Sequence, residues 1–326
     1  MTKIKFNIIT LFSLLFFISC RTLPIEKSYD KLNKTFLTLK EPILKIYFPQ
    51  FGLYNDEQTE ENIIGGDGIV IILPDEKCIV IDSFDPEASY DLVCFLEKLG
   101  IRKIDYLIAS HYHADHVGSM PGLIKYFDIG QFYSNGADFS TKACFLLIDA
   151  LYEKNLKINV LKQGDIVNLL ADDDCKIEVL WPKEFTKKEL DEIYWRPGST
   201  QKLRNNTSLV FKFNYKDFSV MFTGDVYKDC DKIITKQYGS KLKSTIMKVP
   251  HHGEFYTANS PEFVKAVAAD YGVIENPYYM INSIITGIYK KSKTPLLYRK
   301  TPGYILIESD GFNYNISQES FISSLE

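Results

Sequence analysis

"SHYHADHVG" (residues 110–118) places His111, His113, Asp115 and His116 within six consecutive positions of a chain that has five histidines in all. The other two are neighbours, His251 and His252. The H-x-H-x-D-H spacing offers two imidazoles on one side of a loop and a carboxylate–imidazole pair on the other. Two adjacent divalent cations need such a donor set: zinc takes nitrogen and oxygen ligands at about 2.0–2.2 Å, and two-metal hydrolases hold their ions about 3.5–4 Å apart. The cluster is therefore read as a set of metal ligands rather than a chance grouping of core or surface histidines.

The surrounding sequence puts each such group at the end of a strand. "KIDYLIAS" runs into the histidine cluster, "CIVID" ends at Asp82, "SVMFTGD" ends at Asp225, and "STIMKV" leads to His251–His252. Functional loops of α/β proteins sit at such strand ends. Further strands are expected at 43–48, at 68–74 and 78–84 joined by the turn "PDEK", and in "KINVLKQGDIVNLL" and "CKIEVLWP". "TSLVFKFNYKDFSVMFTGD" reads as a hairpin, "YGVIEN" as a strand, and "GYILIESDGFNYNIS" as a terminal hairpin. Helices are expected at 89–99, from Pro121, at 140–154, at 228–238, and in "SPEFVKAVAAD", which Ser260 caps. Two β-rich halves with intervening helices imply an α/β fold, a four-layer αββα sandwich in one domain over 42–320.

"SHYHADHVG", "FTGD" and "VPHHG" together resemble the metallo-β-lactamase fold superfamily. "IIGGDGIVIILPDEKCIVIDSF" (63–84), "NNTSLV" (205–210), "MFTGDV" (221–226), "KVPHHG" (248–253) and "SPEFVKAVAADYGVIE" (260–275) narrow this to the ComEC-like branch, that of competence DNA-uptake proteins. Bacterial phosphorylcholine esterases belong to the same branch.

The resemblance implies that His111 and His113 hold one metal, that Asp115, His116 and His252 hold the other, and that Asp225 bridges them. His251 then contacts substrate or supports the ligands, although the two adjacent histidines could exchange roles. Asp82 is either a hydrogen-bond partner of a ligand-bearing loop or a strand-end turn carboxylate. The cofactor implied is Zn2+, one or two ions, with Mn2+ as an alternative. Asp115 and His251 are the expected catalytic groups, with Asp115 orienting or accepting the proton of a metal-activated hydroxide.

Many superfamily members carry a further histidine on the first metal, but no histidine lies between His116 and His251. "RNNTSLV" stands there, and Asn205 or Asn206 either approaches the site or forms a turn before a strand. A "GHP" segment common in the branch is also missing. In its place "NPYYMINSIITGIYKKSKTPLLYRK" reads as a long basic loop. Its Lys290, Lys291, Lys293, Arg299 and Lys300 are either solvated or gathered into an anion-facing patch.

The N-terminus reads as a lipoprotein signal. Lys3 and Lys5 precede an apolar run, Phe6 to Ile18, too short to span a bilayer, and Cys20 follows small Ser19. Residues 1–19 are the expected signal peptide, Cys20 the lipidated membrane anchor, and 20–41 a tether, placing the domain in the cell envelope. Five further cysteines, Cys78, Cys94, Cys144, Cys175 and Cys230, show no C-x-x-C pair and read mainly as buried thiols. A net charge of −4 speaks against a stable nucleic-acid complex. The reading that follows is a metal-dependent hydrolase of a phosphodiester, from extracytoplasmic nucleic acid or a phospho-substituted envelope polymer. The alternatives are a lactam, lactone or thioester hydrolase, which the missing histidine disfavours, and a non-catalytic surface binding lipoprotein.

Overall fold

Two-residue periodicity in the strands sorts apolar side chains into separate cores, and that sorting sets the architecture. The computed structural model describes residues 37–52, 65–171, 173–195, 201–275 and 281–321. The expected signal, Cys20 and the tether as far as residue 36 lie outside the described residues.

Among the described residues the strands form two sheets. The first contains β1 (Leu44–Gln50), β2 (Gly68–Ile72), β3 (Cys78–Asp82), β4 (Lys103–Ile108), β5 (Asp128–Ser134) and β6 (Ile158–Val160). The second contains β7 (Ile166–Asn168), β8 (Cys175–Trp181), β9 (Val210–Tyr215), β10 (Phe218–Phe222), β11 (Ile246–Lys248), β12 (Tyr271–Val273) and β13 (Leu296–Leu297). The last hairpin, β14 (Gly303–Ser309) and β15 (Tyr314–Ser320), returns to the first sheet, where β14 pairs with β1.

Ile79 and Ile81 of β3 face Ile177, Val179, Phe211, Phe213, Val220 and Phe222 between the sheets. Cys78 and Val80 of the same strand turn outward onto Leu92, Leu96, Leu123 and Leu147 of the helices at Ser89–Lys98, Met120–Tyr126 and Lys142–Glu153. On the other side, Met221 and Met247 meet Ile234, Phe263, Ile285 and Tyr289 from the helices Lys228–Tyr238, Pro261–Val267 and Ser283–Lys291. The layers are thus helix, sheet, sheet, helix, as the sequence pattern predicts. Each fully buried aliphatic side chain contributes about 1.5–3 kcal/mol.

Strand direction then gathers the chemistry at one edge. β3 and β4 are parallel, as are β10, β11 and β12, so their C-terminal ends line up within each sheet. β2 is antiparallel to β3 with Gly68 opposite Asp82, so the residues entering β2 reach the same edge.

Several elements differ from the sequence reading. The 276–300 stretch is not one long loop. Asn276–Met280 lie outside the described residues, but Asn282 caps a helix from Ser283 to Lys291 by accepting from the amides of Ile284 and Ile285. Ile285 and Tyr289, four residues apart, bury its inner face. Arg299 does not join a surface basic patch: it is buried and donates to the carbonyls of Thr301 and Pro302 and to Ser320 Oγ. The end of the expected tether is fastened to the body. Leu37 N donates to Asn315 Oδ1, Asn315 Nδ2 to Leu37 O, and Lys40 N to Asp310 Oδ2, at 2.8–3.1 Å. β5 and the helices Lys187–Trp195 and Gln201–Asn205 have no counterpart in the sequence reading. Cys78, Cys144, Cys175 and Cys230 are buried free thiols, as expected, whereas Cys94 departs from that reading and is disulfide-bonded.

Candidate metal centre

Asp225, three residues past the end of β10, is the hub. Its Oδ2 lies 3.1 Å from His116 Nε2, 3.5 Å from His252 Nε2, 3.9 Å from His251 Nε2 and 4.0 Å from His111 Nε2. Ser208 Oγ accepts from the Asp225 amide at 3.0 Å and holds the turn. Asp115 Oδ2 stands 3.5 Å from His252 Nε2 and 3.8 Å from His116 Nε2. The fifth histidine enters through its partner, with His113 Nδ1 2.9 Å from His111 Nε2. All seven residues singled out in the sequence therefore meet at the edge where the two sheets present their strand ends.

Hydrogen bonds behind the rings decide which nitrogen faces inward. His116 Nδ1 donates to Asp82 Oδ2 at 2.8 Å, which leaves Nε2 on the inner side. Ser110 Oγ donates to Asp82 Oδ2 at 2.6 Å, so toward His111 Nδ1, 3.1 Å away, it is the acceptor. That proton on Nδ1 leaves a lone pair on His111 Nε2. Asp82 thus orients two imidazoles at once and also accepts from the Ser110 amide at 2.7 Å. Of its two readings from sequence, the hydrogen-bonding one holds.

His251 and His252 follow the same logic. His252 Nδ1 faces Asp67 Oδ1 at 3.1 Å and the Glu275 carbonyl at 3.3 Å. His251 Nδ1 lies 3.4 Å from Thr257 Oγ1, whose own proton goes to Glu254 Oε2 in a short bond. Asn205 Nδ2 donates to His251 Nε2 at 3.3 Å. Asn205, the last residue of its helix, is buried at the site, whereas Asn206 Oδ1 accepts from the Tyr227 amide. Both histidines take left-handed backbone angles, φ 48° and 51°. Such angles are rare outside glycine and are kept where surrounding contacts over-determine them.

Burial and the neighbouring charges split the five imidazoles into two groups. Burial, then the nearby His116 and His113, hold His111 well below the usual histidine range, and burial brings His113 down to about 4. His251 is lowered mainly by burial. Burial also opposes charge on His116 and His252, but Asp225 together with Asp115 and Asp82, or with Asp67, outweighs it and holds both well above the usual range. Asp225 is held far down against its burial, chiefly by His116 and His252. Neutral donors on one side and proton-charged donors on the other surround one carboxylate.

The donors fit a divalent metal. His252 Nε2 is buried and accepts or donates no hydrogen bond, an arrangement that is costly unless a cation or water occupies the space. Two imidazole nitrogens facing each other at 2.9 Å, as in His111 and His113, are placed as ligands of one ion are. Asp67, His116, Asp225 and His252 bring one ligand atom each within 4.8 Å of one another. A cavity of about 200 Å³, lined by Gly65, Gly66, Asp85, His113, Asp115, Gln201, Asp225, His251 and His252, opens onto the group.

Sequence reasoning missed Asp67, Lys248 and Glu275, which are all buried beside the histidines. Asp67 was legible as the acidic residue of "GGDG" just before a strand. Nothing in the pattern distinguished Lys248 from an exposed strand residue.

The metallo-beta-lactamase superfamily model matches residues 66–260, more than half of the chain. ComE operon protein 3 of Bacillus subtilis is 26% identical over 162 residues, which is 50% of this chain and 19% of that protein. Competence protein ComA of Neisseria gonorrhoeae is 25% identical over 191 residues, 59% of this chain and 23% of that protein. The matched region is thus about a fifth of the length of these relatives. Among solved structures, Tm1679, a metal-dependent hydrolase of the beta-lactamase superfamily, aligns with a TM-score of 0.49 at 14% identity, covering 78% of this chain and 96% of that one.

Proposed function

Because the chain belongs to the metallo-beta-lactamase superfamily, we propose that it is a metal-dependent phosphodiesterase with two ion sites sharing Asp225. The observation that carries the reading is the single carboxylate oxygen, Asp225 Oδ2, within 4.0 Å of four imidazole nitrogens. His111 Nε2 and His113 Nδ1 would hold the first ion, and His116 Nε2, His252 Nε2 and Asp115 the second. His251 takes the place of the histidine absent between His116 and His251: its Nε2 faces Asp225 and lines the same cavity as His113. Zinc or manganese suits this nitrogen and oxygen set.

The chemistry a divalent metal supplies there is Lewis-acid polarisation of a phosphoryl oxygen and acidification of water. This chain's residues do the rest. Asp115 is about a third exposed, unlike the buried Asp225, and His116 and His252 hold its carboxylate ionised against its burial, so it can accept a hydrogen bond from an incoming water and orient it. Arg204, close enough to His113 to help depress its protonation, adds positive charge beside the site and favours an anionic substrate. Asn205 holds the His251 ring in place through its Nε2.

The similarity to competence proteins supports extracytoplasmic nucleic acid, or a phospho-substituted envelope polymer, as the substrate source, with the chain anchored through a lipidated Cys20. Among the described residues no helix is long and apolar enough to cross a membrane. The test is a panel of bis-p-nitrophenyl phosphate, single-stranded DNA, nitrocefin and a thioester with zinc- or manganese-loaded protein. Turnover of the phosphodiesters is expected, and hydrolysis of nitrocefin or the thioester alone would overturn the assignment. Incorporation of radiolabelled palmitate, lost in Cys20→Ser, checks the anchor.

A further inference from the structure

A buried ion pair lies behind the metal centre and takes no part in the ligand set described above. We propose that Asp67 and Lys248 are positioning residues, which fix the His252 ring and divide the two oxygens of Asp225 between structure and metal. The inference rests on the reading of the site as a metal centre.

Asp67 has a ligand-type atom close to the others, yet it lies on the wrong side of the rings to be a ligand. Its Oδ1 is 3.1 Å from His252 Nδ1 and its Oδ2 is 3.7 Å from His116 Nδ1. Both Nε2 atoms point the opposite way, toward Asp225. An imidazole that gives its Nδ1 proton to a carboxylate keeps Nε2 as the coordinating atom and becomes a better donor. Asp82 does this for His116 at 2.8 Å; at His252 the Nδ1 proton goes to the Glu275 carbonyl at 3.3 Å, and Asp67 Oδ1, 3.1 Å from the same nitrogen, adds the negative charge that keeps Nδ1 turned to this side.

Lys248 makes a buried carboxylate tolerable at that place. Its ammonium is 1% exposed and forms a short ion pair with Asp67. It also donates to the Gly224 carbonyl at 3.2 Å and lies 3.6 Å from Asp225 Oδ1. An uncompensated buried charge costs several kcal/mol, so both partners need one another. The contact with Oδ1 leaves Oδ2 as the oxygen that faces the imidazoles. As the last residue of β11, Lys248 stands three positions before His251, so the strand that delivers the histidine pair also delivers the cation behind it. Gly66 allows the approach: the Asp67 amide donates to the Asp115 carbonyl at 3.1 Å, and a Cβ on Gly66 would overlap that oxygen.

The test uses full-length protein and removes the charge without the shape. Asp67→Asn combined with Lys248→Met exchanges the ion pair for a neutral pair of similar volume, so an unpaired buried charge does not confound folding. Zinc titration by calorimetry is expected to give two equivalents for wild type. In the double variant the first equivalent should be retained and the second weakened about 10- to 100-fold. Nuclear magnetic resonance on 15N-histidine-labelled protein supplies a readout that needs no metal. The His252 Nδ1 proton is expected downfield in wild type and moved upfield, or lost to exchange, in the double variant. An unchanged second equivalent together with an unchanged His252 proton would overturn the inference. Should wild type itself take up no zinc or manganese, the metal reading fails, and the His252 proton alone then decides whether Asp67 positions that ring.

Discussion

Asp225 Oδ2 and His116 Nε2 lie 3.1 Å apart at the junction of the two sheets, and the same oxygen lies within 4.0 Å of nitrogens of three further imidazoles. Loss of that carboxylate should therefore damage both ion sites, whereas loss of His111 should damage one. Asp225→Ala is expected to lower bound metal further than His111→Ala does and to reduce phosphodiester hydrolysis at least about 10²-fold, given the several kcal/mol such ions supply to the transition state. Metal analysis and turnover, compared after circular dichroism has established a folded variant, check this. Two retained equivalents with near wild-type turnover would end the shared-bridge proposal.

Asp82 does not line the cavity at the histidines yet sets two rings. Asp82→Asn keeps an acceptor for one partner but cannot serve Ser110 and His116 as a doubly accepting carboxylate does. Metal affinity is expected to fall about 10- to 100-fold, with the core intact because Asp82 contributes no apolar burial. Zinc titration against a competing chelator gives the number.

Gly66 and Gly100 separate backbone conformation from contact. Both have positive φ, +97° and +81°. A Cβ on Gly66 would stand 1.6 Å from the Asp115 carbonyl oxygen, while one on Gly100 meets nothing within 4 Å. Gly100→Ala should cost about 1 kcal/mol in urea unfolding and leave the metal site unchanged. Gly66→Ala should cost about 3 kcal/mol or more and displace Asp115, so it loses metal as well. Equal losses in the two variants would contradict the packing described here.

Asp231, in the helix behind β10, accepts from the Ser260 amide at 2.9 Å and is pushed up to about 6, mainly by burial. A raised carboxylate binds its proton more tightly in the folded state, so its ionisation opposes folding. That penalty is complete above pH 6, shrinks as pH falls, and is gone below about pH 4, where the unfolded chain is protonated too. Asp231→Asn should raise stability at pH 7.5 by up to about 3 kcal/mol and give no gain at pH 4. Urea unfolding across that range tests the sign.

Residues 37–42 act as a clasp. Leu37 and Lys40 bond to the terminal hairpin, and Tyr215 Oη donates to the Pro42 carbonyl at 3.0 Å. Deleting residues 1–36 should leave thermal stability unchanged. Deleting residues 1–42 should cost about 1–3 kcal/mol for the hydrogen bonds lost. Identical melting of the two truncations would show the clasp to be energetically idle.

Most of the candidate metal centre was legible in the sequence because its residues are chemically rare and locally spaced. Five histidines, two short motifs and an aspartate after an apolar strand identify themselves without a fold. The αββα layering was legible for a related reason: alternation along β3 and β10 assigns each side chain to one of two cores, and that periodicity is local. Tertiary structure alone decided which nitrogen of each histidine faces inward. That choice depends on partners distant in sequence: Asp82 for His116, Asp67 for His252, Thr257 with Glu254 for His251. It also decided that Lys248, polar and unremarkable in its strand, is buried as the counter-ion of Asp67. A buried charge is stable only beside its opposite, and the packing of one sheet on the other that unites residues 67 and 248 is written in no local pattern.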